Sequence, residues 1–210
     1  MFDTSTLLAY VAAAALLVLI PGPGTAWILA QSMAGGTRRG AQAAVGLETA
    51  TLIHALAAGL GLSTVLATSA LAFEIVKYAG AAYLVWLGIK AWREGDAPGA
   101  AVAAPAAASA RQVYLRSVAT GVLNPKVAVF FLAFLPQFVD PARGHVPMQF
   151  LALGLILSAI GLANSLALAW LVGRMGRRLS AGPRAARWMR RATGGVFVAL
   201  GLRLATQARA

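Results

Sequence analysis

Residues 20–25 read IPGPGT, two prolines and two glycines set inside Thr6 to Ala34, a run without charged residues and rich in Ala, Leu, Val and Ile. A run of that length and apolarity is a candidate membrane-spanning helix. Proline inside a helix removes a hydrogen bond and clashes with the preceding turn, at a cost of about 3 kcal/mol or more. In hydrocarbon the freed carbonyls have no water to turn to, so broken backbone persists only where protein or a wet cavity covers it. A lone proline is often a simple kink. Two prolines that remove donors, beside two glycines that add backbone freedom, point to a local unwinding, with a packing kink as the alternative.

The rest of the chain supports the membrane reading. Of its 210 residues 60% are hydrophobic and only 11% charged, where a soluble domain carries about 25% charged residues. Five long apolar runs and a weaker sixth are visible, at about 6–34, 41–66, 68–92, 114–138, 147–172 and 192–207. The first does not read as a cleaved signal peptide, because no Lys or Arg precedes it and no polar mature chain follows. With no cysteine there is no disulfide framework or thiolate metal site, and His54 and His145 are too few and too far apart for a metal centre.

A net charge of +12 invites a nucleic-acid reading, but its distribution argues otherwise. Thirteen of the 18 Lys and Arg fall in the links after runs one, three and five: Arg38 and Arg39; Lys90, Arg93, Arg111 and Arg116; and seven arginines from Arg174 to Arg191. Positive charge collects on the cytoplasmic side of a membrane protein. The expectation is an all-α integral membrane protein of six spans with both termini outside and no nucleic-acid partner. Its inner arginines would meet anionic lipid headgroups of the bilayer.

Residues 95–110, GDAPGAAVAAPAAASA, are low in complexity and interrupted by Pro98 and Pro105. They read as a flexible cytoplasmic linker, 95–112, between a first half, 1–94, and a second, 113–210. Three spans per half make the second half enter the membrane inverted. GPGTA (22–26) aligns with NPKVA (124–128) at an offset that superposes Pro23 on Pro125 and Ala26 on Ala128, each in the first span of its half. Paired Gly/Pro interruptions in corresponding spans point to a transport site between inverted repeats.

Asn is a preferred N-cap and Pro a preferred first helical residue, so Asn124-Pro125 reads as a helix restarting in mid-span. Lys126 then sits in the first turn, where the helix dipole disfavours a cation, and needs an anion. At about 1.5 Å per residue, Gly22 to Gly24 lie about 15–18 Å deep, Asn124 to Lys126 about 12–15 Å, and Glu48 about 11 Å, all near the middle of a core about 30 Å thick. Gly22, Pro23, Gly24 and Thr25 from one break, and Asn124, Pro125 and Lys126 from the other, thus converge on one point suited to a carboxylate. Glu48 has three open roles: to hold an α-ammonium, to balance Lys126, or to carry a proton. A structural Glu48–Lys126 pair is the alternative to a substrate site. Intramembrane charges are costly and usually functional.

Thr51 shares the Glu48 face, and Asn164 is a plausible polar lining residue, with helix–helix hydrogen bonding as its alternative. His54 is about 120° around the helix from Glu48 and reads as structural. Glu74 and Lys77 read as interfacial near the outer surface. Trp86 and Trp92 read as an aromatic belt at the inner end of their span, and Ala55-xxx-Gly59 as a close-packing face.

PGPG in the first run, GLETATLIHALAAGLGL (46–62), FEIVKYAGAAYLVWLGIKAWR (73–93) and LNPKVAVFFLAFLPQF (123–138) together resemble the LysE/RhtB amino-acid exporter family, most nearly its homoserine, homoserine-lactone and threonine exporters. The resemblance runs over nearly the whole chain. It implies a bacterial inner-membrane carrier that exports amino acids, of the homoserine- or threonine-like or other neutral kind, on the proton gradient, and no cofactor; Glu48 is the candidate coupling group from its own chemistry and not from the resemblance. It maps the family's PGP onto Pro21, Gly22 and Pro23, and its NPK onto Asn124, Pro125 and Lys126. An amide would be expected at position 48 in a homoserine exporter, and this chain has Glu48. A passive channel and a membrane-embedded enzyme are the competing classes. No span shows a polar face along its whole length, and no nucleophile or metal cluster stands out. A homodimer is compatible with the size of the chain.

Overall fold

The computed structural model describes residues 2–62, 70–93 and 108–175, with residues 191, 194–195, 198–202 and 204–206 of the last stretch. Most of the expected linker at 95–112, the start of the third run, most of the arginine-rich stretch at 174–191 and part of the sixth run lie outside the described residues. The described residues are helical almost throughout, and none is in a strand.

Thr4–Leu19 forms α1. Pro21 has no N–H to give the Leu17 carbonyl and Pro23 none for Leu19, so the hydrogen-bond ladder stops. Ile20 and Gly22 are extended, and α2, Pro23–Ala57, restarts with Gly22 at its N-cap. Proline at the first helical position forfeits a donor that would have had no partner there. The unwinding expected from PGPG is therefore present, as a three-residue gap.

α2 is a hairpin rather than a rod. Gly35 (φ −145°, ψ 23°) and Gly36 (φ 69°, ψ −171°) are non-helical, the second in a region that is essentially glycine's alone. Arg39 Nε donates to Gln31 Oε1 at 2.7 Å, and Gly40 packs on the Ser32 side chain. Residues eight apart in a continuous helix would be about 12 Å apart along the axis. The first arm, 23–34, therefore folds back on the second, 37–57, so that a Cβ at Gly24 would lie 3.5 Å from Leu47. The second arm ends in a π-helical turn, Ala58–Leu62.

Ala70–Arg93 forms α3. Ala110–Val122 forms α4, opened by a capping box in which Ser109 and Gln112 satisfy each other's backbone N–H groups. Asn124 then caps α5, Pro125–Val129, its Oδ1 accepting from Lys126 N at 3.1 Å. The helix continues through a π turn, Phe130–Phe134, and a 3₁₀ turn, Leu135–Phe138, and the two pieces meet at 47°. Val146–Met175 forms α6. By length and apolarity Pro23–Gly61, through its second arm, and Val146–Met175 suffice to cross a membrane, and the bent pair Ala110–Val122 with Pro125–Phe138 adds a third crossing if taken as one span.

The second arm of α2 is the hub. It runs antiparallel to α6: Thr37 meets Gly173, Gly40 meets Ala169, Glu48 meets Gly161, Ala55 meets Gly154 and Gly59 meets Pro147. It runs parallel to α4: a Cβ at Gly46 would lie 2.6 Å from Ser117 Cβ, and one at Gly121 2.5 Å from Ala50 Cβ. Each crossing has a glycine because the backbones approach too closely for anything larger, the packing that serves helices in lipid. Trp27 Nε1 donates to Ser117 Oγ at 2.7 Å and ties the first arm to α4. Tyr10 of α1 donates to the Leu153 carbonyl at 2.7 Å and packs edge-on to Phe138. Phe130, Phe131, Phe134 and Phe150 are all buried in the same cluster. Trp92 Nε1 donates to the Arg191 carbonyl at 2.9 Å, which sets the helical residues after 191 beside α3.

The charge bias of the sequence becomes a sorting by ends. Arg38 and Arg111 line one groove, and Thr37 packs at Gly173, next to Arg174. At the opposite end Arg143 bonds Asp3 at 2.6 Å and Asp140 at 2.9 Å. These partners, Asp3 first, raise the guanidinium's basicity further above its ordinary value. Glu74 and Lys77 lie near the start of α3. Lys77 is only 4% exposed and pairs with Glu74 at 2.9 Å. One turn on, Gly80 packs against Ala133, so this face of α3 turns into the bundle.

Candidate functional site

The two proline breaks meet. The Leu17 carbonyl lost its donor to Pro21, and Ile20 stands at the end of α1. Lys126 Nζ donates to both, at 2.9 Å and 2.8 Å. The lysine expected to need an anion thus binds the carbonyls that the first break leaves open. Charge-assisted bonds of this kind contribute about 1.5–3 kcal/mol each. Among the described residues Lys126 makes no ion pair with Glu48, so the structural pair weighed from sequence does not form.

Beside this junction is a cavity of about 90 Å³, room for several waters or a small solute. Gly24, Thr25, Glu48, Thr51, Asn124, Lys126 and Asn164 line it. Gly22, Pro23 and Pro125 flank it without lining it, although a Cβ at Gly22 would lie 3.6 Å from Lys126 Nζ. Pro23 and Pro125 begin the two restarted helices, so their role is to aim backbone N–H groups. Asn124 is buried, with its Nδ2 toward Gly24. Glu48 faces the cavity from the second arm of α2, with the hydroxyls of Thr51 and Ser158 beside its carboxyl and Gly161 directly opposite. Gly161 is midway along Val146–Met175, so the cavity sits at half the length of the longest apolar helix.

The wall supplied by α6 was underread. Only Asn164 was expected, yet Gly161 and Ser165 also line the cavity, and Ser158 reaches Glu48. Ser158, Gly161, Asn164 and Ser165 recur at helical spacing within an apolar run, which is a legible polar stripe. Leu17, Ile28, Leu157 and Leu168 form the apolar part. His54 lies outside the cavity and stacks on Phe131 with ring centroids 5.8 Å apart, in keeping with a structural part.

A family model described as LysE type translocator matches residues 15–208. An uncharacterized membrane protein of Vibrio cholerae serotype O1 is 36% identical over 204 residues, 97% of this chain and 98% of its own length. A homoserine/homoserine lactone efflux protein of Salmonella typhi is 34% identical over 198 residues, 94% of this chain and 95% of that protein. A leucine efflux protein of Klebsiella pneumoniae is 32% identical over 163 residues, 76% and 75% of the two chains. No solved structure matches.

Proposed function

This chain belongs to the LysE-type translocator family, a family of transporters and not of enzymes, and from that premise we propose that it is a secondary-active exporter of neutral amino acids. One observation carries the site assignment: both proline breaks and the lone carboxylate of the second arm open onto one cavity at mid-helix depth. The substrate carboxylate lies toward Lys126, Asn124 and the N–H groups of the restarted α2. The α-ammonium lies toward Glu48, Thr51 and Ser158, and Asn164 bonds a polar side-chain group. The side chain rests on Leu17, Ile28, Leu157 and Leu168, a wall with no further charge, which suits homoserine-, threonine- or leucine-like substrates. Those are the kinds of solute for which the efflux relatives are named.

Glu48 is the proposed proton carrier. A carboxylate in this confined cavity binds either an ammonium or a proton, and the exchange of one for the other couples their movements. The architecture proposed around the site is six spans in two inverted three-helix repeats, 1–94 and 113–210, joined by a cytoplasmic linker at 95–112. The parallel course of the second arm of α2 and α4 supports this: one is the second span of its half and the other the first. The proposed setting is the bacterial inner membrane, with both termini outside, and the proposed assembly a homodimer.

Efflux from vesicles loaded with homoserine, threonine, leucine or lysine, with and without a pH gradient, tests the reading. Neutral substrates should leave faster with the gradient, and Glu48→Gln should abolish the gradient's effect. Transport of none of the four, or equal rates for the charged and neutral solutes, would sink the assignment.

A further inference from the structure

The second arm of α2 and α4, packed together at Gly46, part toward the basic end of the bundle. There they leave a groove lined by Arg38, Ala41, Val45, Arg111 and Tyr114. Neither arginine has an acidic partner among the described residues. Below them the wall is apolar: Val45 is 50% exposed, and Tyr114 turns its hydroxyl to Thr49 at 3.2 Å, leaving its ring against the groove. The groove has a level. Thr37, next to Arg38, packs at Gly173, and the neighbouring Arg174 lies 5.1 Å over the exposed ring of Trp170. Lys90 is likewise 5.2 Å over the exposed Trp86. Exposed tryptophans with cations over their faces mark the headgroup layer.

We propose that this groove binds the headgroup of an anionic phospholipid. The two guanidinium groups clasp the phosphate as planar bidentate donors, and the first methylenes of an acyl chain lie along Ala41 and Val45. The occupant follows from complementarity: two cations above an apolar wall at the membrane surface match a phosphate above hydrocarbon. The groove joins the two helices whose glycine seam separates the proposed halves of the transporter, so its occupant clamps one half to the other. Its chemistry is separate from that of the central cavity, since Arg38 precedes Glu48 by ten residues on the same arm, about 15 Å along the axis.

The test is thermal unfolding of the purified full chain in detergent, titrated with phosphatidylglycerol, phosphatidylcholine or inorganic phosphate. Phosphatidylglycerol should raise Tm, and the other two should not. Arg38→Gln with Arg111→Gln should weaken the apparent affinity for phosphatidylglycerol roughly thirty-fold, each arginine near a membrane surface being worth roughly fivefold. Ala41→Trp, which fills the groove and keeps both charges, should weaken it too, whereas Arg143→Gln at the opposite end should not. An undiminished phosphatidylglycerol shift in both groove variants overturns the proposal. So does an equal shift with phosphatidylcholine, and a shift with inorganic phosphate alone would make this a free-anion site instead.

Discussion

Lys126 follows Ile20 by 106 residues, and its ammonium donates to the Ile20 carbonyl at 2.8 Å. The same nitrogen reaches Leu17, whose carbonyl lost its partner to Pro21. Replacing Lys126 with Met should therefore destabilise the protein by about 3–6 kcal/mol, two charge-assisted bonds, besides abolishing export. Pro21→Ala restores an N–H for Leu17, so the double variant should be less unstable than the two single losses add up to. Additive melting shifts would mean that proline and lysine act apart.

Gly161 keeps room for the Glu48 carboxyl, since a Cβ there would sit 2.6 Å from Oε1 and 3.0 Å from the carboxyl carbon. Gly161→Ala should displace the carboxylate and raise the half-saturating concentration about tenfold or more, the size of a lost charged contact. Gly154→Ala crowds Ala55 on the same pair of helices and should lower Tm while sparing the affinity of what folds. Equal effects on affinity would remove Glu48 from the site.

At Gly22 and Gly24 an added Cβ meets neighbours only at 3.5–3.8 Å, ordinary van der Waals distances. Alanine should fit the empty protein at either position with Tm nearly unchanged. Any fall in affinity then reports a ligand approaching the backbone. Unaltered binding in both variants would leave the stretch as a helix break alone.

Gly36 turns the α2 hairpin at φ 69° and ψ −171°. Gly36→Ala should cost about 1–3 kcal/mol from backbone strain, read as a lower unfolding midpoint. A melting curve like that of the parent would mean that the turn tolerates another conformation.

Single cysteines at Ala110 and Ala142, both exposed and at opposite ends, check the orientation. A membrane-impermeant reagent added outside cells should label position 142 and leave 110 untouched. Labelling of 110 alone would invert the topology.

The breaks at Pro21–Pro23 and at Asn124–Pro125 were legible because proline and capping chemistry are local, and Glu48 because one carboxylate in an apolar run is conspicuous. The partner of Lys126 was not, since only the tertiary fold brings the end of α1 against α5. The burial of Lys77 escaped for a related reason. In a helix apolar nearly all round, no stripe says which side faces the protein. Gly161 and Ser158 did not stand out because small residues in lipid-embedded helices usually serve packing. The link expected between the first two runs shrank to two glycines, since the chain reverses as tightly as Gly36 permits.

The staple from Lys126 to Leu17 and Ile20 also has a bearing on how the chain is made. When α1 leaves the ribosome its two open carbonyls have no partner, and the residue that will bind them is not yet translated. At about 5–20 residues per second the wait is about 5–20 s. During that interval the first half must keep those carbonyls near water or in another membrane protein's groove, because hydrocarbon would penalise them by several kcal/mol each. Docking of α1 against its neighbours is in this sense posttranslational relative to its own synthesis, timed by the arrival of a single side chain from the far half.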